Sequence, residues 1–402
     1  MHRLASATVL GIAALALTGC PNPKGGGDGK VIKIVSSLPR TGSAKGQTDT
    51  MVNGIKLAME EVGNKVGDFS VEYLDWDDAT AAAGQWTPEA EAANADKAAK
   101  NPDVMAYIGP YNSGAAKISM PILNKAGVLM ISPANTWPGL TKPGNWGTGE
   151  PDIYRPTKKI NYTRVVPTDD LQGPFAANWA KEMGVKQVYV LDDNELYGKG
   201  IAKLFAERCK EIGIKVLGQD KIDVNAQEFK SLMVKIKSLN PDMIYFGGTT
   251  QSKGGQLARD MVGSGLQCSI MVPDGCFEDA FVESAGAKNI EGRAYFTFGG
   301  LPPEELKDGP GKAFVDRYMA KYKTQPEAYA IYGYECGKVA LESIRKANKK
   351  DRGAVVDAAL ALRDFDGALG KWSFDANGDI SLAIISGSTV KNGKLSFVKQ
   401  LR

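Results

Sequence analysis

The sequence predicts an α/β protein of two lobes, each a doubly wound parallel sheet with helices on both faces. Three observations carry that expectation. Short, continuous apolar runs alternate with amphipathic helical stretches, as they do in sheets buried on both sides. The alternation runs through the chain twice. And 402 residues are too many for one compact core.

In the first half, apolar runs at 31–37, 71–76, 104–109 and 128–132 read as strands. Between them, 51–62 carries Met51, Ile55, Leu57, Ala58 and Val62 at helical spacing. The alanine- and glutamate-rich segment 88–99 has Thr87 placed as an N-cap and Pro88 at the first helical position. A third helix is predicted over 114–125. The second half repeats the pattern, with strands at 187–191, 215–218, 243–248 and 269–273. Its helices are 200–212, with Ile201, Leu204, Phe205 and Ile212 on one face, and 252–263. Between them lies the stripe Phe229, Leu232, Met233, Ile236 and Leu239. Asn225 and Glu228 are spaced like a capping box at the start of that stripe. Further on, helices are predicted at 311–323, 329–347 and 353–362, and strands at 371–374, 382–386 and 395–399, with a turn at 375–379. The stretch 141–159, rich in Pro, Gly and Trp, reads as a long surface loop.

The N-terminus addresses the compartment. Arg3 gives a short basic start and 4–17 a mostly apolar run, shorter than the ~20 residues a membrane span needs. That fits a secretory signal over 1–20. Leu17-Thr18-Gly19-Cys20 resembles a bacterial lipobox, which implies acylation of Cys20; an ordinary signal with a chance cysteine is the alternative. Residues 21–30 are glycine-rich and read as a flexible tether. Acyl chains on Cys20 would hold the protein at a membrane without spanning it.

Composition excludes several chemistries. The formal charge is only +3, so nothing points to nucleic acid. The one histidine, His2, lies in the signal; a Ser-His-Asp or Cys-His triad and a His-ligated metal are excluded from the remainder. No cysteine spacing resembles a zinc site, and no metal or cofactor is expected. Cys209 and Cys336 fall on apolar helix faces and read as buried thiols. Cys268 and Cys276 flank a strand spanning ~16 Å, against the ~7 Å limit between Cα atoms of a disulfide.

The chain resembles the leucine/isoleucine/valine-binding proteins, the type I periplasmic binding fold. The resemblance spans 30–402 and rests on Leu38-Pro39-Arg40-Thr41-Gly42, Asp77-Asp78, Ile108-Gly109-Pro110-Tyr111-Asn112-Ser113 and Ser132-Pro133-Ala134-Asn135-Thr136. It continues in Tyr197-Gly198-Lys199-Gly200, Tyr245-Phe246-Gly247-Gly248 and Pro273-Asp274-Gly275. Each is weak alone; their order and spacing are specific. The resemblance implies a three-crossing hinge, with crossings near Arg164, Phe298 and Ser373. Lobe 1 is then 31–163 plus 299–372, and lobe 2 is 164–298 plus 373–402.

Ser113 follows a strand and precedes a helix, where free N–H groups and the positive dipole end suit an α-carboxylate. It caps the helix or binds the carboxylate. Thr136 follows the next strand at the same sheet end. Its N–H would complete the cradle and its hydroxyl would accept from an ammonium, as would the carbonyl of Ala134; a turn-stabilising threonine is the other reading. Asp274, at a strand end of the other lobe, would pair with the ammonium, although Pro-Asp-Gly is also good turn chemistry. The matching family position usually holds glutamate, so Asp274 is a departure. The resemblance sets Tyr197 against the ligand; a core tyrosine is the alternative. Positions matching Gln47 and Thr249 often carry aromatic residues in the family, and both are polar here. Tyr111 and Trp137 flank the cradle and are candidates to compensate. A side-chain pocket less apolar than one for leucine brings small or polar amino acids and amides into range. In Asp77-Asp78, neighbouring strand residues point to opposite faces, so the pair reads as structural.

The resemblance implies a monomeric lipoprotein that captures an amino acid, branched-chain or related, by hinge closure and delivers it to ABC permease subunits. It would sit in the periplasm or at the cell surface. The alternative is a sensor presenting an amino acid or amide to a signalling receptor.

Overall fold

A computed structural model describes residues 30–402. The expected signal, Cys20 and nearly all of the expected tether lie outside the described residues. Two sheets organise the chain. The first runs, in spatial order, Lys65–Val66, Phe69–Asp77, Val31–Leu38, Val104–Ile108, Leu129–Ser132 and Tyr162–Arg164. All neighbours are parallel except the short first hairpin. The second runs Lys215–Lys221, Gln187–Asp192, Met243–Gly247, Ser269–Val272, Ala294–Gly299, Ile385–Lys391 and Lys394–Leu401. Its last two strands are antiparallel additions. Leaving the hairpins aside, both sheets share one order, with the first strand second from the edge. In such sheets the crevice beyond the carboxyl ends, where the strand order reverses, is the natural ligand site.

The central strands are buried on both faces. Val104–Ile108 and Met243–Gly247 have no exposed residue, and apolar side chains pack helices onto either side. The Thr87 side chain does cap Pro88–Lys100, its Oγ1 accepting from the Ala90 N–H at 3.2 Å. Asn225 does not cap the next lobe's helix, which begins only at Lys230, with Phe229 at the N-cap. The Phe229 N–H instead donates to Asp260 Oδ2 at 2.7 Å, so a distant carboxylate does the work expected of a local one. The C-terminal strands also differ from expectation. The chain forms one long hairpin, Ile385–Lys391 with Lys394–Leu401, turning on Asn392 and Gly393 at φ 53° and 75°. Asn-Gly is a strong hairpin signal that the apolar pattern alone did not register. Segment 141–159 is not simply a surface loop: Thr141, Tyr154 and Arg155 are buried, and a 3₁₀ turn, Asp152–Tyr154, shapes it, with another, Pro138–Leu140, leading into it. The four cysteines of the described residues are free and buried.

The chain leaves the first sheet after Arg164 and leaves the second after Gly299. Asp379 still bridges Arg164 beside the first sheet, so the last passage falls between Asp379 and Ile385. Arg164 is fully buried there. Its Nε meets Asp379 Oδ1 at 2.7 Å, and one terminal nitrogen donates to the carbonyls of Asn135 (3.1 Å) and Trp137 (2.8 Å). The other donates to Thr141 Oγ1, which in turn donates to Asp379 Oδ2 at 2.9 Å. A buried ion pair of this kind is costly to break one-sidedly. Arg164→Met is expected to cost about 3–5 kcal/mol in urea unfolding. Removing the exposed Lys312–Asp316 pair by Lys312→Ala should cost under about 1 kcal/mol. Equal losses from the two variants would remove Arg164 from its structural role.

Candidate functional site

Loops after the carboxyl ends of both sheets enclose a cavity of about 230 Å³. Tyr111, Asn112, Ser113 and Ala134 line it from the first lobe, Tyr197, Thr249, Asp274 and Gly275 from the second. Tyr329, just before the helix Ala330–Ala347, completes it. Six of the eight ligand residues expected from sequence thus share one small space. Thr136 and Gln47 are buried beside it without lining it.

The first-lobe wall is built on close backbone approach. Gly109 ends the strand that leads to Ser113, at φ 125°, and the Ser37 carbonyl oxygen lies 2.3 Å from where a Cβ would stand. Any side chain there would push the following loop out of place. The helix Ser113–Ala126 starts at Ser113 itself, with Asn112 as N-cap. Ser113 is therefore not the cap: its N–H belongs to the unpaired first turn, and its Oγ accepts from the Trp137 N–H at 3.5 Å. The neighbouring loop is pinned by Ser132 Oγ, which accepts from the N–H groups of Ala134 (3.2 Å) and Asn135 (2.8 Å). Asn135 spans from the Tyr111 carbonyl to the Tyr162 hydroxyl. The Thr136 carbonyl accepts from the Asp169 N–H at 3.0 Å, while Thr136 Oγ1 and both Asp169 carboxylate oxygens have no partner among the described residues.

Asp274 faces this wall from the other lobe. Its Oδ1 accepts from the Tyr197 hydroxyl at 2.6 Å and from Gln172 Nε2 at 2.9 Å; its Oδ2 accepts from the Tyr329 hydroxyl. A carboxylate has about four acceptor sites, so three donors leave one toward the cavity. Burial pushes the Asp274 and Asp169 carboxyls above the usual range; the donors on Asp274 oppose that, and Arg164 opposes it at Asp169. Two buried acids in one small region favour an incoming cation.

The polar positions have defined roles. The Tyr111 hydroxyl donates to Gln47 Oε1, and Gln47 Nε2 donates to the Phe277 carbonyl at 3.4 Å, so Gln47 links the lobes. Thr249 hydrogen-bonds Ser252 within its own loop. Trp137 does not reach the cavity. Its ring lies against Gly200 of the other lobe and its Nε1 donates to Glu150 Oε2 at 2.9 Å, so it does not compensate for missing aromatic walls. Asp77 accepts from Arg40 N and Ala79 N at 2.8 Å each and from Thr41 Oγ1 at 2.7 Å; it is structural. Asp78, fully buried, has neither carboxylate oxygen paired.

A sequence-family model described as "periplasmic binding protein" matches residues 31–381. The chain belongs to the periplasmic binding protein family. A relative from Pseudomonas aeruginosa, the leucine-, isoleucine-, valine-, threonine- and alanine-binding protein, is 28% identical, covering 92% of this chain and 91% of its own. The crystal structure of the leucine-binding protein LivK from Thermotoga maritima is similar with a TM-score of 0.80 and 27% identity, over 92% of this chain and 98% of that one. LivJ from Streptococcus pneumoniae, solved in complex with isoleucine, gives a TM-score of 0.79 at 26% identity, over 92% and 100%. A periplasmic binding protein holds a solute rather than transforming it, and the family works outside the cytoplasm. No group of His, Cys, Asp and Glu among the described residues is arranged to hold a metal, and none of their helices is long and apolar enough to cross a membrane.

Sequence reasoning missed three participants in this periplasmic binding protein. Tyr329 and Gln172 hold Asp274 from segments far along the chain, and Asp169 sits under the cradle. Helical periodicity marks Tyr329 only as a helix start, and nothing local marks the others.

Buried acids also set a pH dependence. Burial pushes the carboxyls of Glu91, Asp193 and Glu335 to about 7 and that of Glu278 to about 8, against an ordinary value near 4 in the unfolded chain. Between these values the native state holds more protons than the unfolded one, so stability falls as pH rises. Each such group weakens folding by about 1.4 kcal/mol per pH unit across its window. Thermal denaturation from pH 5 to pH 8.5 is expected to show Tm falling toward the alkaline end; a Tm that rises throughout contradicts it.

Proposed function

We propose that this protein is the solute-binding component of an ABC importer and holds an amino acid between its lobes. One observation supports the reading above others: a single small cavity has a helix N-terminus with Ser113 on one side and the Asp274 carboxylate on the other. The α-carboxylate sits on Ser113 and the free N–H groups at the start of its helix. The ammonium donates to the Ala134 carbonyl and to the free acceptor site of Asp274, with Tyr197 packed beside it, while Thr136, expected in the cradle, is buried next to the cavity. Tyr329 and Gln47 already reach across to the second lobe, so a bound zwitterion adds to contacts that favour the shut cleft, and hinge closure follows from that differential affinity. The relatives' names point to branched-chain and small amino acids. Gln47 and Thr249 make the side-chain end more polar, in keeping with branched-chain ligands or related smaller and polar ones. We read the partners as ABC permease subunits, the protein as a monomer, and Cys20 as its lipid anchor.

Isothermal titration against the twenty amino acids tests this. Asp274→Ala is expected to weaken binding of the best ligand by about 2–5 kcal/mol, because a buried ammonium loses its partner. Ser113→Ala should cost about 1–2 kcal/mol. Unchanged affinity in Asp274→Ala removes the residue from the site. Mass spectrometry of the membrane-bound protein should find acyl chains on Cys20; an unmodified Cys20 ends the anchor assignment.

A further inference from the structure

A larger interlobe cavity of about 1240 Å³ lies beside the first one. Its polar lining is unbalanced: Glu278, Asp279, Glu304, Glu305 and Glu327 face a single cation, Lys394. Glu305 is paired with Lys307 at 3.0 Å. Glu278 is different. It is 2% exposed, its Oε2 has no partner, and it stands at the N-cap of the helix Asp279–Ala285 without capping it. Glu327 Oε2, from the opposite lobe, is likewise unpartnered. Two carboxylates thus approach one cavity from two lobes with hydrogen-bonding capacity unspent, and burying such groups unpaired is costly.

The cavity is continuous in chain with the amino-acid site. Phe277 to Asp279 follow Asp274 and Gly275, and Glu327 and Ala328 precede Tyr329. Tyr111 of the first cavity is linked through Gln47 to the carbonyl of Phe277, which lines the second.

We propose that the acidic cavity binds an organic cation, an ammonium or guanidinium group, held between Glu278 of one lobe and Glu327 of the other. Its walls are carboxylates with no built metal geometry among the described residues, and unpaired carboxylate oxygens facing each other from two lobes suit a directional N–H donor. Burial holds Glu278 to about 8 and Glu327 to about 7, and an arriving cation favours their ionised forms and relieves that cost. The cation has two sources. It is the far end of a basic amino acid whose zwitterionic end occupies the first cavity, an arm that rests on the function proposed above. Or it is a separate amine.

Titration of the purified full-length protein with lysine, arginine, norleucine, cadaverine and agmatine tells these apart. If one molecule spans both cavities, lysine or arginine binds and cadaverine and agmatine do not. If the cavity is a separate site, cadaverine or agmatine binds alone, and Ser113→Ala leaves that binding unchanged. In either case Glu278→Gln or Glu327→Gln should weaken the cationic ligand at least tenfold and leave any norleucine binding within twofold. Should Glu278→Gln fail to fold by circular dichroism, Glu327→Gln decides. Binding of norleucine or another neutral amino acid, with no binding of any of the four cations, overturns the inference and leaves the amino-acid function standing. Cationic binding that neither substitution alters overturns it as well. Failure of every amino acid, with binding of a free amine, sinks the function above and keeps this site.

Discussion

The buried guanidinium of Arg164 is the constraint on which the rest of the site depends. It stands where the chain first leaves the first sheet, and it holds the carbonyls of Asn135 and Trp137 together with Asp379, from the segment that runs toward the last passage. The loop that carries Ala134 and Thr136 is thereby fixed to the crossings rather than to its own strand alone. Desolvating an arginine is expensive unless every donor is used, and here its donors go to carbonyls, a hydroxyl and a carboxylate. The loop of Ala134 and Thr136 and the interlobe connection are therefore tied into one hydrogen-bonded network.

Asp274 faces the first-lobe wall from the other lobe. Tyr197 and Gln172 orient it within its own lobe, while Tyr329 reaches it from the other. A carboxylate shared between lobes thus ties the two walls of the cavity together. The aspartate is held by two tyrosine hydroxyls and Gln172, so its position is set by hydrogen bonds.

Much of this was legible in the sequence. The short apolar strands and the helices between them come from local periodicity; Ser113, Thr136 and Asp274 were proposed from their places beyond strand ends and Tyr197 and Thr249 from the family resemblance, and the structure sets Ser113, Tyr197, Thr249 and Asp274 around one cavity. Errors arose where a distant group replaced a local one. Asp260 satisfies Phe229 where Asn225 was expected to cap, and Trp137 packs on Gly200 instead of lining the cavity; of the two roles open for Ser113, the N-cap position falls to Asn112.

By itself the sequence determined the twice-wound α/β architecture, because side-chain burial in strands and helices repeats over a few residues and needs no distant partner to be read. Only the tertiary structure decided which polar groups meet. Tyr329 and Asp274 are 55 residues apart in the chain, Gln172 and Asp274 102, and Gln47 and Phe277 230. Hydrogen bonds demand atomic proximity that no local pattern encodes, so the polar closure of the cleft, and the acidic cavity beside it, exist only once the two sheets face each other.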